Sequence, residues 1–98
     1  MEKFKPHCEL STVKAMLQAG KVRITTSALA GGDALGLHAK EIVSIVMALT
    51  LKDFYKSMTS HNNHREWQDV YRPITYVGTL YIKLIVADDV LVLSFKER

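Results

Sequence analysis

The closing stretch of the chain, Thr75 to Lys96, constrains the fold most strongly. It consists of two apolar, β-branched runs separated by the polar pair Asp88-Asp89. Such a break between two strand-like runs predicts a β-hairpin with a two-residue loop. In the resulting register one face carries only apolar cross-strand pairs, so that face belongs in a hydrophobic core. These pairs are Val86 with Leu91, Leu84 with Leu93 and Ile82 with Phe95.

The other face of this hairpin ends in polar pairs. The same register sets Lys83 opposite Ser94 and Tyr81 opposite Lys96. A phenol and an ammonium group then face each other directly, with Cβ atoms about 4.5–5.5 Å apart. The packing of a core does not require such a pair, so this face of the hairpin is a candidate functional surface.

The rest of the chain places helical patterns before most of the strands. Helix periodicity and capping residues predict three helices, and alternation predicts further strands in the second half. Helices followed by antiparallel strands indicate an α+β fold, a twisted antiparallel sheet with helices packed on one face. The length suits a single domain spanning residues 1–98. The predicted helices cover residues 10–20, 26–35 and 39–49, an edge strand covers 22–24, and strands cover 53–59 and 67–72.

Composition limits the classes of protein to which the chain can belong. Cys8 is the only cysteine, which excludes an internal disulfide and fits a reducing compartment. The segment from Met1 to His7 is charged and is not a signal peptide, and no apolar run approaches the length of a membrane span. We therefore expect a cytoplasmic protein that does not bind membranes. The formal net charge of +3 permits an anionic partner without requiring one.

Several polar side chains are predicted to share the sheet face that the helices leave uncovered, here called the open face. A turn near Val77-Gly78 would pair residues 67–72 with residues 80–87 and set Arg72 opposite Lys83. Cations, a phenol and an amide without paired carboxylates suit a phosphate better than a sugar or a metal. Any one of these side chains could simply solvate an exposed sheet, whereas several of them on one face together indicate a site. Its members are Lys56, Gln68, Arg72, Tyr81, Lys83 and Lys96.

Two other motifs have simple structural explanations. His61 and His64 could bind a metal or exchange protons near pH 7, but a hydrophilic loop explains them more simply, because no third ligand is apparent. Asp88 and Asp89 are interpreted as turn residues alone. No glycine-rich phosphate loop or nucleophile elbow is present. We therefore expect neither a metal nor a small-molecule cofactor.

Three strings of residues resemble a known family. They are 53–59 (DFYKSMT), 67–73 (WQDVYRP) and 94–97 (SFKE). On these strings, and over essentially the whole chain, the protein resembles the MqsR family of bacterial mRNA interferase toxins. The resemblance implies a fold like that of RelE-type ribonuclease toxins. It also implies endonuclease activity on single-stranded mRNA that needs neither a metal nor the ribosome.

The resemblance further implies site residues and a partner. The catalytic positions of the family fall on Lys56, Gln68, Tyr81 and Lys96, and the partner would be an MqsA-like antitoxin with a zinc-binding domain and a helix-turn-helix domain. We expect Arg72, Lys83 and Tyr55 to contact the RNA. Cleavage would proceed by attack of the RNA 2′-hydroxyl on phosphorus, helped by positioning and charge stabilisation. Lysine and tyrosine are weak bases at pH 7, so the identity of the base stays open.

Two other functions remain compatible with the same residues. A basic sheet face with aromatic side chains could bind RNA without cleaving it. Alternatively, the open face could dock a protein partner. The first function predicts salt-sensitive RNA binding without turnover, and the second predicts no RNA affinity at physiological salt.

Overall fold

The computed structural model describes all 98 residues and has the predicted α+β architecture. Three helices, each within two residues of its predicted bounds, precede the main run of strands. They are α1 (Leu10–Gln18), α2 (Thr26–Asp33) and α3 (Ala39–Met47). The strands are β1 (Glu2–Lys3), β2 (Val22–Ile24), β3 (Phe54–Thr59), β4 (Trp67–Tyr71), β5 (Ile74–Thr75), β6 (Gly78–Val86) and β7 (Val90–Glu97). No helix has the length and apolar character needed to cross a membrane.

The strands form one sheet with the order β1-β3-β4-β6-β7-β2, and β5 pairs with the start of β6. The hairpin of β6 and β7 therefore lies inside the sheet, between β4 and β2. Every pairing is antiparallel except that of β2 with β7, which is parallel. These two strands are far apart in the sequence, so no hairpin turn fixes their relative direction. The sheet is therefore antiparallel, as predicted, except at this edge strand.

The helices cover one face of the sheet and form the hydrophobic core with it. Val13 of α1, Ala28 of α2 and Ile42 of α3 are among the residues that are almost fully buried there. The sheet contributes Tyr71, Leu80, Ile82, Leu84, Val90, Val92 and Phe95. Burial of these side chains leaves the opposite face of the sheet, the open face, to polar residues.

The close approach of α2 to β7 depends on Gly31. A Cβ atom at this position would lie 1.8 Å from the backbone oxygen of Phe95, far inside van der Waals contact. Glycine is unfavourable in a helix interior, by about 1 kcal/mol relative to alanine. Here it allows a helix backbone to lie directly on a strand backbone, which fixes α2 against the strand that carries Lys96.

The predicted pairing of β6 with β7 is correct at the end remote from the loop and wrong near it. The loop contains Ala87 as well as the two aspartates, so Val86 lies opposite Val90. The predicted pairs of Val86 with Leu91 and of Leu84 with Leu93 do not form. A two-residue loop was therefore the wrong choice.

A β-bulge in β7 restores the predicted register. Lys83 pairs with Ser94 while Leu84 pairs with Val92, which leaves Leu93 as the extra residue. On the loop side of this bulge, Val90 and Val92 enter the core in place of Leu91 and Leu93. Beyond it, Tyr81 faces Lys96, as predicted.

Asp89 does more than form the loop. Its carboxylate accepts hydrogen bonds from Nε and Nη2 of Arg23, at 2.6 and 3.2 Å. These hydrogen bonds, and the positive charge of Arg23, hold the pKa of Asp89 below its usual range. The pair joins the loop of the hairpin to the parallel edge strand β2, so Asp89 is not a turn residue alone.

The pairing of β4 with β6 differs from the prediction by two residues. Val70, not Arg72, lies opposite Lys83. The turn that precedes β6 contains Tyr76 and Val77, with Thr75 opposite Gly78, whereas the predicted turn was Val77-Gly78. A shift by an even number of residues keeps every side chain on its predicted face, because strand side chains alternate with period two.

Candidate active site on the open sheet face

A row of side chains in register crosses the open face. Lys56 of β3 pairs with Val70 of β4, Val70 pairs with Lys83 of β6, and Lys83 pairs with Ser94 of β7. Val70 is fully buried although it is not part of the core on the helix side. Neighbouring side chains on the open face therefore cover it. The two lysines lie two strands apart, about 10 Å between backbones. They therefore place positive charge on either side of the apolar side chain of Val70.

Tyr81 and Lys96 occupy the next row. They are direct cross-strand partners, and Nζ of Lys96 lies 5.5 Å from the centroid of the Tyr81 ring. Nζ of Lys83 lies 5.8 Å from the same centroid. A depression of about 420 Å³ opens over these three side chains, and Glu97 and Arg98 complete its lining. A phenolic hydroxyl and two ammonium groups therefore share one small concavity.

A second bulge brings Tyr55 to this cluster. Phe54 pairs with Tyr71 and Lys56 pairs with Val70, so Tyr55 is the unpaired extra residue of β3. The guanidinium carbon of Arg72 lies 3.6 Å from the centroid of the Tyr55 ring, a stacked cation–π contact. Nζ of Lys56 lies 5.3 Å from the same centroid. Strict alternation along β3 would direct Tyr55 away from Lys56, and the bulge is the reason that it does not.

The two lysines of the row differ in their electrostatic surroundings. The ammonium of Lys56 donates a 2.5 Å hydrogen bond to the carboxylate of Glu2, which raises the pKa of Lys56. Lys83 has no ion-pair partner. Burial, together with the positive charges of Lys96 and Lys56, lowers the pKa of Lys83. Lys56 therefore stays a cation near neutral pH, whereas Lys83 is the amine of this pair that loses its proton more readily.

Glu2 is brought to the site by the N-terminal arm, residues 1–8. β1 pairs with the edge of β3, with Glu2 opposite Met58. The arm is secured from the helix side by the buried carboxylate of Asp69, which accepts hydrogen bonds from the backbone N–H groups of His7 and Cys8, at 2.9 and 3.0 Å. The hydroxyl of Ser57 donates a third, at 2.6 Å. Sequence patterns did not reveal Glu2 or Asp69 as site-forming residues.

The structure brings together all but one of the side chains predicted from the sequence. Lys56, Tyr55, Arg72, Tyr81, Lys83 and Lys96 form one group. Gln68 is on the open face but lies two residues before Val70, beside Met58. In the β4–β6 register its row is roughly 13 Å from the row of Tyr81, four residues along the strand. Gln68 therefore stands at the far end of the open face.

The two histidines of the sequence pattern are remote from this group. His61 and His64 are exposed in the loop between β3 and β4. No cluster of three or more histidine, cysteine or acidic side chains with metal-binding geometry occurs in the structure. The histidine pair therefore has the surroundings of a hydrophilic loop.

Comparison with known proteins places the chain in a family. The family model described as "Motility quorum-sensing regulator, toxin of MqsA" matches residues 5–97. The protein named mRNA interferase toxin MqsR from Escherichia coli (strain K12) is 49% identical over 98 residues, the full length of both chains. On both comparisons, the chain belongs to the MqsR toxin family.

Proposed function

We propose that this protein is an endoribonuclease, the toxin of a type II toxin–antitoxin system, which cleaves single-stranded mRNA without the ribosome and without a metal. The name of the Escherichia coli relative, mRNA interferase toxin, supports the activity. The observation that carries the proposal is the opposition of Tyr81 and Lys96, with Lys83 beside them in one depression. Cleavage of mRNA would stop translation and growth, and would take place in the cytoplasm.

RNA binding follows from the charges and rings of the open face. Lys56, Lys83, Lys96 and Arg72 supply positive charge for the phosphodiester backbone. Tyr55, which is 37% exposed and stacked on Arg72, offers a ring on which a base can stack. Single-stranded RNA fits both features, because it carries phosphates and its bases are free to stack on aromatic side chains.

The reaction uses the nucleophile that RNA itself carries. The 2′-hydroxyl attacks the adjacent phosphorus in line with the leaving 5′-oxygen, and Lys56 and Lys96 stabilise the charge that develops on the phosphate oxygens. The hydroxyl of Tyr81 protonates the leaving oxygen. The products are a 2′,3′-cyclic phosphate and a 5′-hydroxyl. Given its distance from Tyr81, Gln68 contacts the nucleotide that flanks the scissile phosphate.

The partner of the proposed toxin is an antitoxin. The family description names a toxin of MqsA. We infer a partner with a zinc-binding N-terminal domain and a helix-turn-helix, DNA-binding C-terminal domain, in line with the family resemblance.

The test uses the purified protein and a long unstructured RNA in buffer that contains EDTA. Discrete cuts with 2′,3′-cyclic phosphate and 5′-hydroxyl ends are expected. Fragments with 5′-phosphate ends, or loss of cleavage on chelation, would reject the mechanism. Salt-sensitive binding without cleavage would favour an RNA-binding module, and absence of RNA affinity at physiological salt would favour a surface that docks a protein.

A further inference from the structure

Lys83 is a cation of the open face that lies between two strands and has no ion-pair partner. Val70 lies next to it on β4, Ser94 lies opposite it on β7, and Lys56 stands beyond Val70 on β3. It is half-buried, whereas its neighbour Lys96 is exposed. No carboxylate pairs with it, in contrast to Lys56, which is bound to Glu2. Lys83 is thus a lysine held among cations in a partly apolar setting.

These surroundings favour the neutral amine. Burial is the main cause, and the ammonium groups of Lys96 on β7 and Lys56 on β3 add to it, so the pKa of Lys83 falls below the ordinary lysine value of 10.5. On its own strand the group that faces it is Tyr81. Glu97 and Arg98 line the same depression. A general base must be unprotonated before it acts, so a lowered pKa increases the fraction of Lys83 that can accept a proton near neutral pH.

The position of Lys83 relative to Tyr81 suits a base and an acid that act on one phosphate. The two residues are two apart on the same face of β6, a backbone separation of about 7 Å. A phosphate in the depression over them would have the amine on one side and the phenol on the other. In-line displacement requires this arrangement, because the entering and leaving oxygens lie on opposite sides of the phosphorus.

We propose that Lys83 is the general base that takes the proton from the attacking 2′-hydroxyl, an assignment that rests on the proposed ribonuclease activity. The proton passes from the 2′-oxygen to the neutral amine as the 2′-oxygen bonds to phosphorus. The bond from phosphorus to the 5′-oxygen breaks, its electron pair stays on that oxygen, and the hydroxyl of Tyr81 supplies the proton there. Proton exchange with water then restores the amine and the phenol.

The experiment is a single-turnover pH–rate profile at saturating RNA for the wild type, Lys83→Met and Lys83→Arg. The wild-type rate should rise about tenfold per pH unit and level off below pH 10.5, the ordinary lysine pKa. Both variants should lose this rise and cleave about 10²–10⁴ times more slowly, because arginine keeps the charge but does not deprotonate. Both should still bind an RNA with a 2′-deoxy nucleotide at the cleavage site. Lys40→Met, on the helix side, is the control and should match the wild type.

A second measurement leaves Lys83 in place, in case its variants fold poorly. Lys96→Met removes a neighbouring cation, so the midpoint of the residual pH–rate profile should move to higher pH, whatever the loss of rate. Wild-type rate and pH dependence in Lys83→Arg would overturn the assignment while leaving the ribonuclease proposal intact. Absence of RNA cleavage by the wild type would overturn both.

Discussion

The carboxylate of Glu2 lies 2.5 Å from the ammonium of Lys56, so the N-terminal arm places an anion inside the cationic open face. A phosphate that binds Lys56 must compete with that carboxylate. We therefore expect Glu2→Gln to tighten binding of a non-cleavable RNA up to about fivefold, since an ion pair at the surface contributes little net free energy. Fluorescence anisotropy at several salt concentrations measures this, and the salt dependence should become steeper.

The control for this change is Glu41→Gln, which alters the net charge equally but lies on α3, on the helix side of the sheet. It should leave RNA affinity nearly unchanged. Weaker binding by Glu2→Gln would show that the carboxylate orients Lys56 for the phosphate instead of competing with it.

Removal of the phenolic hydroxyl at position 81 should slow RNA cleavage without changing the stability of the fold. Tyr81→Phe keeps the ring that contacts Lys83 and Lys96 and deletes the proton donor, so single-turnover cleavage should fall by about 10²–10⁴. The thermal midpoint should not change, because no hydrogen bond of this hydroxyl contributes to the fold. Tyr76→Phe is the matched control, since Tyr76 is 76% exposed on the turn before β6. Cleavage at the wild-type rate by Tyr81→Phe would show that another group protonates the leaving 5′-oxygen.

We expect the positive charge of Lys96 to increase the rate of RNA cleavage. Lys96→Met should lower cleavage by about 10²–10³, the range for loss of one group that stabilises transition-state charge. Lys52→Met, on an exposed 3₁₀ turn, is the control and should cleave normally. An equal loss in both variants would mean that net charge, not position, governs the rate.

Gly31 should tolerate no side chain. Gly31→Ala forces a methyl group against the backbone oxygen of Phe95, so α2 must move away from β7. Overpacking of this kind costs about 1–3 kcal/mol in the free energy of unfolding, which urea denaturation measures. Ala30→Ser, an exposed change on the same helix, should cost far less. Equal unfolding midpoints for Gly31→Ala and the wild type would contradict the close packing.

Asp69 should control the N-terminal arm. Asp69→Ala removes the acceptor of two backbone N–H groups and of the Ser57 hydroxyl. Hydrogen bonds to charged groups contribute about 1.5–3 kcal/mol, and a loss of at least this size in the free energy of unfolding is expected. Hydrogen exchange at the His7 and Cys8 amides should accelerate more than exchange in the core strands. Asp88→Ala, in an exposed loop, serves as the control, and unchanged exchange at both amides would refute the anchoring role.

The sequence predicted local elements well because hydrophobic periodicity determines them. The three helices, the β6–β7 hairpin and the pairing of Tyr81 with Lys96 follow from patterns within short segments. The last of these was predicted correctly through two errors that cancel, since a longer loop shifts the register and the bulge at Leu93 shifts it back. Bulges have no strong sequence signal, so neither this one nor the bulge at Tyr55 could be anticipated.

Features that depend on distant segments escaped prediction. The ion pair of Glu2 with Lys56 requires β1 to pair with β3, and no local pattern specifies that pairing. The lowered pKa of Lys83 depends on its burial and on the charges of Lys96 on β7 and Lys56 on β3, which no local pattern brings together. Gln68 shares the open face with Tyr81, as predicted, but alternation alone gives the face and not the distance along the strand, and four residues of β4 separate Gln68 from the row of Tyr81.

The most direct test of the account is cleavage of an RNA in which the nucleotide before a mapped cut carries a 2′-deoxy sugar. If the open face cleaves RNA through its own 2′-hydroxyl, the substituted RNA should bind with wild-type affinity and remain intact at that position. Cuts elsewhere in the same molecule should persist and serve as an internal control. Cleavage of the substituted linkage at the normal rate would contradict the account.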